Sequence, residues 1–170
     1  FDPNSHDGKA LLHILDTYPR DELFQIDEEA LFAIARGILH LEERPRVALF
    51  LRRDPFERFV SCLVYAPRDR YDTELRQRFQ RILADALAGE VLSFTTRLGE
   101  SPLARVHFVV RTTPGAIPDF SPEAVETLLV EAGRSWRDRL KEALDARMGE
   151  AEAQATLTRW GEAFPTGPDL

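Results

Sequence analysis

Arg46-Val47-Ala48-Leu49-Phe50-Leu51-Arg52-Arg53-Asp54-Pro55-Phe56-Glu57-Arg58-Phe59-Val60-Ser61-Cys62-Leu63-Val64-Tyr65 is the stretch on which the fold turns. Two runs rich in Val, Leu and aromatic residues, Arg46 to Arg53 and Phe59 to Tyr65, flank the turn-forming pair Asp54-Pro55. They predict a β-hairpin. The same pattern returns in Val91 to Leu98 and Arg105 to Thr112, separated by Gly99-Glu100-Ser101-Pro102. Each hairpin is followed by a helical pattern. Asp72 to Ala88 carries Leu75, Phe79, Ile82, Leu83, Ala86 and Leu87 at helical spacing, and Gly89 stops it. Ser121 to Met148 opens with a capping Ser, has Pro122 at the first helical position, and sets Phe120 beside Val125. Its apolar stripe runs Val125, Leu128, Leu129, Ala132, Trp136, Leu140 and Leu144. The order ββαββα predicts an α+β fold of the ferredoxin-like kind: a four-stranded antiparallel sheet with helices on one face. Leu23 to Ile26 reads as a short fifth strand at the edge.

Further helices flank this repeat. Gly8 to Thr17 places Leu11, Leu12, Ile14 and Leu15 on one broad face, and Pro19 stops it. In Asp27 to Glu42, Asp27 caps, Ile26 and Leu31 form the staple, and Leu31, Ile34, Ile38 and Leu39 make the stripe. Glu150 to Trp160 forms a last short helix after Gly149.

Alternation along the strands separates two faces. Val47, Leu49 and Leu51 share one with Val106, Phe108 and Val110, and this face suits the helices. The other shows Ala48, Phe50 and Arg52, and His107, Val109 and Arg111. That second face is only half polar, whereas a solvated face alternates more cleanly. It is expected to pack on another domain or a second copy, with Phe50, His107, Val109 and Arg111 as the interface residues.

Composition excludes several classes. The chain has 170 residues, 44% hydrophobic and 30% charged, with net charge −7. Wholesale disorder does not fit this balance. The longest clean apolar run, Val47 to Leu51, is far shorter than a membrane span. No basic-then-apolar leader opens the chain, so cytoplasm is expected and a membrane partner is not. Cys62 stands alone, which leaves no intrachain disulfide and no cysteine-rich zinc site. The chain starts at Phe1 and its single methionine is Met148, so a piece of something longer is expected. From Arg46 to Thr112 there are 12 Arg against 8 acidic residues, while the remainder has 10 basic against 21 acidic. A mildly basic middle thus lies between acidic segments. With pI ≈ 5.2 and no aromatic–Gly signature, nucleic acid is not expected as a partner.

Catalytic signatures are mostly missing. No two glycines lie closer than Gly161 and Gly167, so neither a dinucleotide loop nor a P-loop is present. His6-Asp7 is half of a metal pair without a second half, and His13/Asp16 and His40/Glu43 are one-turn surface pairs. Neither catalytic residues nor metal ligands are expected. Cys62 lies in an apolar strand with no cation nearby to activate it. Asp27, Glu28 and Glu29 suit the positive end of a helix. Trp136 and Trp160 read as packing residues. The dense polar feature is Arg52, Arg53, Asp54 and Arg58, followed by Arg68, Asp69 and Arg70. Two readings stand for it. One is a structural ion-pair network in which Asp54, Glu57 and Asp69 pair with these guanidinium groups. The other is an anion-binding corner, formed with the helix N-terminus near Asp72, for an effector or a neighbouring domain.

The segment from Arg52 through Arg76, Arg52-Arg53-Asp54-Pro55-Phe56-Glu57-Arg58-Phe59-Val60-Ser61-Cys62-Leu63-Val64-Tyr65-Ala66-Pro67-Arg68-Asp69-Arg70-Tyr71-Asp72-Thr73-Glu74-Leu75-Arg76, closely resembles one in the N-terminal half of the large bacterial NAD-dependent glutamate dehydrogenases. So does Leu11-Leu12-His13-Ile14-Leu15-Asp16-Thr17-Tyr18-Pro19-Arg20-Asp21-Glu22-Leu23-Phe24-Gln25. The likeness runs from Lys9 to Arg111 and more loosely through Pro165, with small departures at Ala66 and Asp72. It implies an ACT-like module, a ferredoxin-like variant in permuted order, that serves regulation or assembly. Such modules commonly bind amino acids or mediate assembly. The parent enzyme would oxidise L-glutamate to 2-oxoglutarate and ammonia with NAD, its catalytic lysine and Rossmann domain lying further along the chain. No catalytic residue or NAD contact is carried over to this segment. The expected organisation is a helical segment over 1–45, the ACT-like domain over 46–148, and a C-terminal helix and tail over 149–170. Expected partners are other domains or subunits, most simply in a homo-oligomer, and an amino-acid effector. The alternative is a pure interaction module with no small-molecule ligand.

Overall fold

β1 (Ala48–Arg53) and β2 (Phe59–Pro67) form the first hairpin, Arg53 opposite Val60 and Ala48 opposite Tyr65. β3 (Glu90–Leu98) and β4 (Leu103–Arg111) form the second. β2 pairs with β4, so the sheet is antiparallel throughout, in the order β1-β2-β4-β3. These relations come from a computed structural model that describes residues 5–99, 101–134 and 136–160. It divides into two compact units, Phe1–Ala132 and Gly133–Leu170.

The first face of the sheet carries the larger core. α4 (Thr73–Ala86) and α5 (Pro122–Ala132) lie on it, as the ββαββα order implies. Asp72 caps α4 by accepting from the Leu75 N–H at 2.7 Å, and Ser121 does the same for Ala124 at 3.2 Å. Val60, Val64, Val106, Val110, Phe108, Phe79, Leu83 and Leu129 are all fully enclosed here. Cross-strand β-branched side chains and the leucine stripes of two helices make one continuous apolar layer.

Three helices precede the sheet: α1 (His6–Thr17), α2 (Arg20–Leu23) and α3 (Glu28–Glu43). Asp27 caps α3, accepting from the Ala30 N–H at 2.8 Å. A separate apolar cluster joins Ile14, Tyr18, Ala35, Ile38 and Leu41 to Ala48, Leu63, Tyr65 and Leu103 on the second face. Helices therefore lie on both faces, where the repeat alone gave helices on one. The half-apolar second face is explained by this cover, which the chain supplies from its own N-terminal segment. Gly37 on α3 is part of the fit. A Cβ there would come within 2.6 Å of the Phe50 ring, so a side chain at this position would have to push the ring aside.

Two further expectations are corrected. Leu23 to Ile26 is not a fifth strand. Pro19 instead starts one helical turn, its carbonyl accepting from the Glu22 and Leu23 N–H groups. The acidic pair Asp21 and Glu22 suits that first turn. Ser121 to Met148 is not one helix either. α5 ends at Ala132 and α6 (Trp136–Met148) begins beyond Gly133. Glycine is a poor helix former, and here it interrupts an apolar stripe that continues in register across it.

In the second unit, α6 and α7 (Glu150–Trp160) are joined at Gly149, whose φ of 84° is the left-handed conformation of a helix stop. A Lys141–Asp145 pair at 2.7 Å lies along α6.

Candidate functional site

Arg52, His107 and Ser61 face the same side of the sheet because of register. Arg52 stands opposite Ser61 on β2, and His107 stands opposite Leu63 one step along. Ser61 Oγ and His107 Nε2 meet diagonally at 2.8 Å. Above them α2 lowers Glu22, a carboxylate that is only 4% exposed. Arg52 grips it with a bidentate fork, Nε to Oε2 at 2.7 Å and Nη2 to Oε1 at 2.9 Å. Gln25 takes a further Arg52 N–H at 3.2 Å, and the guanidinium lies over the Phe59 ring. His107 Nε2 is 3.9 Å from Glu22.

Charge in this node is balanced internally. The hydrogen bonds to the Glu22 carboxylate raise the Arg52 pKa, so the guanidinium stays charged. Burial lowers the His107 pKa and keeps the ring neutral, although Glu22 pulls the other way. Beside the node, Arg105 donates to the Thr17 carbonyl at the end of α1, at 2.6 Å. Tyr18 is buried there and its phenol pKa is raised by burial. Two sheet arginines thus fasten the N-terminal helices: one to a carboxylate, one to a helix C-terminus.

The hairpin tip is a second polar cluster. The buried Asp54 carboxylate accepts from the Phe56 and Arg58 backbone N–H groups at 3.2 Å each. It also accepts Arg58 Nε at 2.8 Å and Nη2 at 3.0 Å. Those bonds, the Arg58 side chain first, hold its pKa down at about 2. Glu57 has φ 55°, and its carbonyl and carboxylate accept from Thr112 Oγ1 and the Gly115 N–H, both at 2.7 Å. Arg53 turns to the other face and lies over Phe120, 4.7 Å from its centroid. Gln25, Pro55, Phe56, Phe59, Leu92, Asp54, Arg58 and Arg111 border an open depression of about 610 Å³ at this end.

Arg68, Asp69 and Arg70 stand apart from this tip. They follow the far end of β2, whose nine residues put about 26 Å between the two groups. Arg68 donates to the Gly99 carbonyl at 2.5 Å. The N-terminus of α4 is already occupied by the Asp72 cap. The two arginine groups therefore do not converge on one corner. Arg58 pairs with Asp54, as local pairing predicts, but Arg52 pairs with Glu22, thirty residues away.

The sheet's two edges differ. On β1, the Leu49 N–H donates to Glu126 of α5 at 2.9 Å, and Arg46 holds the other carboxylate oxygen at 3.1 Å. A side chain thus occupies one backbone N–H of that edge. β3 carries exposed Leu92, Phe94 and Leu98 and borders only β4 among the described strands. Of the face residues expected at an interface, Phe50 packs against α3 and the second core, and His107 belongs to the Glu22 node. Val109 is half-buried, and Arg111 is exposed and paired with Glu90. Cys62 is wholly buried with its pKa raised by burial. No cluster of three His, Cys, Asp or Glu side chains occurs among the described residues, and no described helix is long and apolar enough to cross a membrane.

Residues 48–137 match a family model described as "Glutamate dehydrogenase, ACT2 domain". The chain belongs to this glutamate dehydrogenase ACT2 family. Residues 1–44 match "Glutamate dehydrogenase, helical motif 1". The boundary falls just before β1, so the Glu22–Arg52 pair joins the helical motif to the ACT2 domain. The chain is 46% identical over 165 residues to an NAD-specific glutamate dehydrogenase of Halomonas elongata, covering 97% of itself and 10% of that protein. It is 39% identical to those of Pseudomonas aeruginosa, over 98% of itself, and Mycobacterium tuberculosis, over 94%. It spans about a tenth of the length of these relatives.

Glu22, Gln25 and Glu126 are the residues that reading the sequence for chemistry passed over. Glu22 follows Pro19 in a stretch with no strand or long-helix pattern, and nothing local marks it as buried. Glu126 is an ordinary polar position on an amphipathic helix.

Proposed function

We propose that this chain is a non-catalytic assembly and regulatory module of an NAD-specific glutamate dehydrogenase. The longer enzyme oxidises L-glutamate to 2-oxoglutarate and ammonia in the cytoplasm, and NAD binds elsewhere in it. The observation that carries this reading is the asymmetry of the sheet: Glu126 takes the Leu49 N–H on the β1 edge, while the nine-residue β3 has only β4 beside it among the described strands. An unblocked edge is a template for pairing with another chain. The side-chain chemistry agrees. Arg52 and Arg58, the two guanidinium forks nearest the hairpin tip, are both taken by the chain's own carboxylates.

A second reading keeps an amino-acid effector. It rests on the hairpin-tip depression, where Phe56 and Phe59 offer apolar walls and Arg111 is exposed. Two experiments test the pair. The first is native mass spectrometry of the longer chain carrying Ser93→Lys and Thr95→Lys on β3. Smaller assemblies with an unchanged rate per active site support the assembly role; unchanged assemblies oppose it. The second is calorimetric titration of the chain with glutamate, aspartate, lysine and arginine. Heat that Arg111→Ala abolishes supports the effector; no heat leaves assembly alone.

A further inference from the structure

β3, the last strand in the sheet order, has a self-complementary residue order. β3 bulges at Leu92: Val91 stands opposite Val110, and Ser93, not Leu92, stands opposite Val109. This extra residue changes which side chains share a face. Glu90, Ser93, Thr95 and Arg97 lie on the second face, and Val91, Phe94, Thr96 and Leu98 on the first.

A strand pairing antiparallel with its own copy must keep faces matched, because a one-residue slip moves every side chain to the other side. With a two-fold axis through Phe94, Ser93 meets Thr95 of the second copy. Val91 meets Thr96, with Leu92 looped out on each strand, and Glu90 meets Arg97. Both ends then close with an opposite charge on the same face. Moving the axis to Thr95 brings Arg97 against Ser93 instead, and no charge pair forms.

Within the chain Arg97 is poorly served. Its neighbour on β4 is Arg105, a second cation, and like charges directly opposite are unfavourable. No carboxylate pairs with Arg97 among the described residues. Glu90 is 67% exposed and already holds Arg111, so it can bridge to a second guanidinium. The middle of the edge, Ser93-Phe94-Thr95-Thr96, has no charge and no proline to blunt it. Phe94 is 46% exposed between Arg76 and Phe108, and the two-fold axis would bring its ring against its own copy.

We propose that β3 is the site at which two copies of this chain pair edge to edge, about a two-fold axis at Phe94, with Glu90 of each copy on Arg97 of the other. This rests on the assembly reading above and names its partner and register. The occupant is a second copy because the charge order fits its own reverse.

Charge exchange tests it. Sedimentation of the 170-residue chain at hundreds of micromolar should show a dimer, since a strand-edge contact is small beside the roughly 1,200–2,000 Å² of stable interfaces. Arg97→Glu and Glu90→Arg should each weaken it at least tenfold. Mixing these two variants should restore a one-to-one heterodimer, because each then supplies what the other lacks. Phe94→Cys, checked for folding by circular dichroism, should form an intermolecular disulfide, since paired strands bring Cα atoms about 4.5–5.5 Å apart. A dimer that ignores both charge variants overturns the register while leaving assembly standing. A chain that stays monomeric, with no Phe94→Cys cross-link and a longer enzyme whose assembly is indifferent to the β3 lysines, overturns both.

Discussion

Breaking the Glu22–Arg52 pair from one side should loosen the N-terminal helices specifically. Arg52→Met leaves a carboxylate only 4% exposed, without the two charge-assisted bonds at 2.7 and 2.9 Å. The nearest remaining cation source is His107 at 3.9 Å, which burial keeps neutral. Stranding one member of a buried pair costs about 3–5 kcal/mol, a large part of the roughly 5–15 kcal/mol that holds a domain folded. Glu22→Leu strands the guanidinium instead. That group is 11% exposed and keeps Gln25 and the Phe59 ring, so its cost belongs at the low end of the range. The double variant replaces the pair by apolar volume, which is often near neutral, so it should lose far less than the sum of the two single losses. Urea unfolding gives the four stabilities, and hydrogen exchange gives the location. Amides in α1 and α3 should speed up before those of α4, because the pair ties α2 to the sheet while α4 rests on the other face. Additive single effects, or equal acceleration in α3 and α4, would refute the reasoning.

Three other outcomes follow from the same contacts. His107 has a folded pKa below the ordinary histidine value, so the unfolded chain binds its proton more readily. Stability is full above about pH 7 and falls as pH drops through 6.5 toward the folded value. His107→Gln should flatten that slope. Glu22 and Asp21 on α2, Arg52 on β1 and Arg105 on β4 act on this histidine, while Asp54 matters only in stronger acid. Gly37→Val forces a branched side chain into the Phe50 ring and should cost about 1–3 kcal/mol in urea unfolding. Phe50→Leu in the same chain should recover part of it. Glu126→Ala leaves the buried Leu49 N–H without its acceptor, costing about 1–3 kcal/mol and speeding exchange at that amide.

Most of the sheet was legible because its signals are local. Alternating Val and Leu in Arg46 to Thr112, turn residues at Asp54-Pro55, and caps at Asp27 and Ser121 all act within a few residues. The break at Gly133 was hidden by a stripe that keeps period across it. Leu23 to Ile26 is too short for period to separate strand from helix, and Pro19 decided it. The site was harder to read. Arg52 stands beside Asp54 in the sequence, yet strand alternation sends it to the second face, where Glu22 arrives from α2. A half-apolar face announces a cover, but the pattern does not say that residues 6–43 supply it.

The assembly claim is tested most directly by the amides of β3 in the longer enzyme. Hydrogen exchange should show Leu92 to Arg97 protected when the enzyme is assembled, and freely exchanging on the outer edge when dilution separates its subunits. Equal exchange in both states would contradict the account.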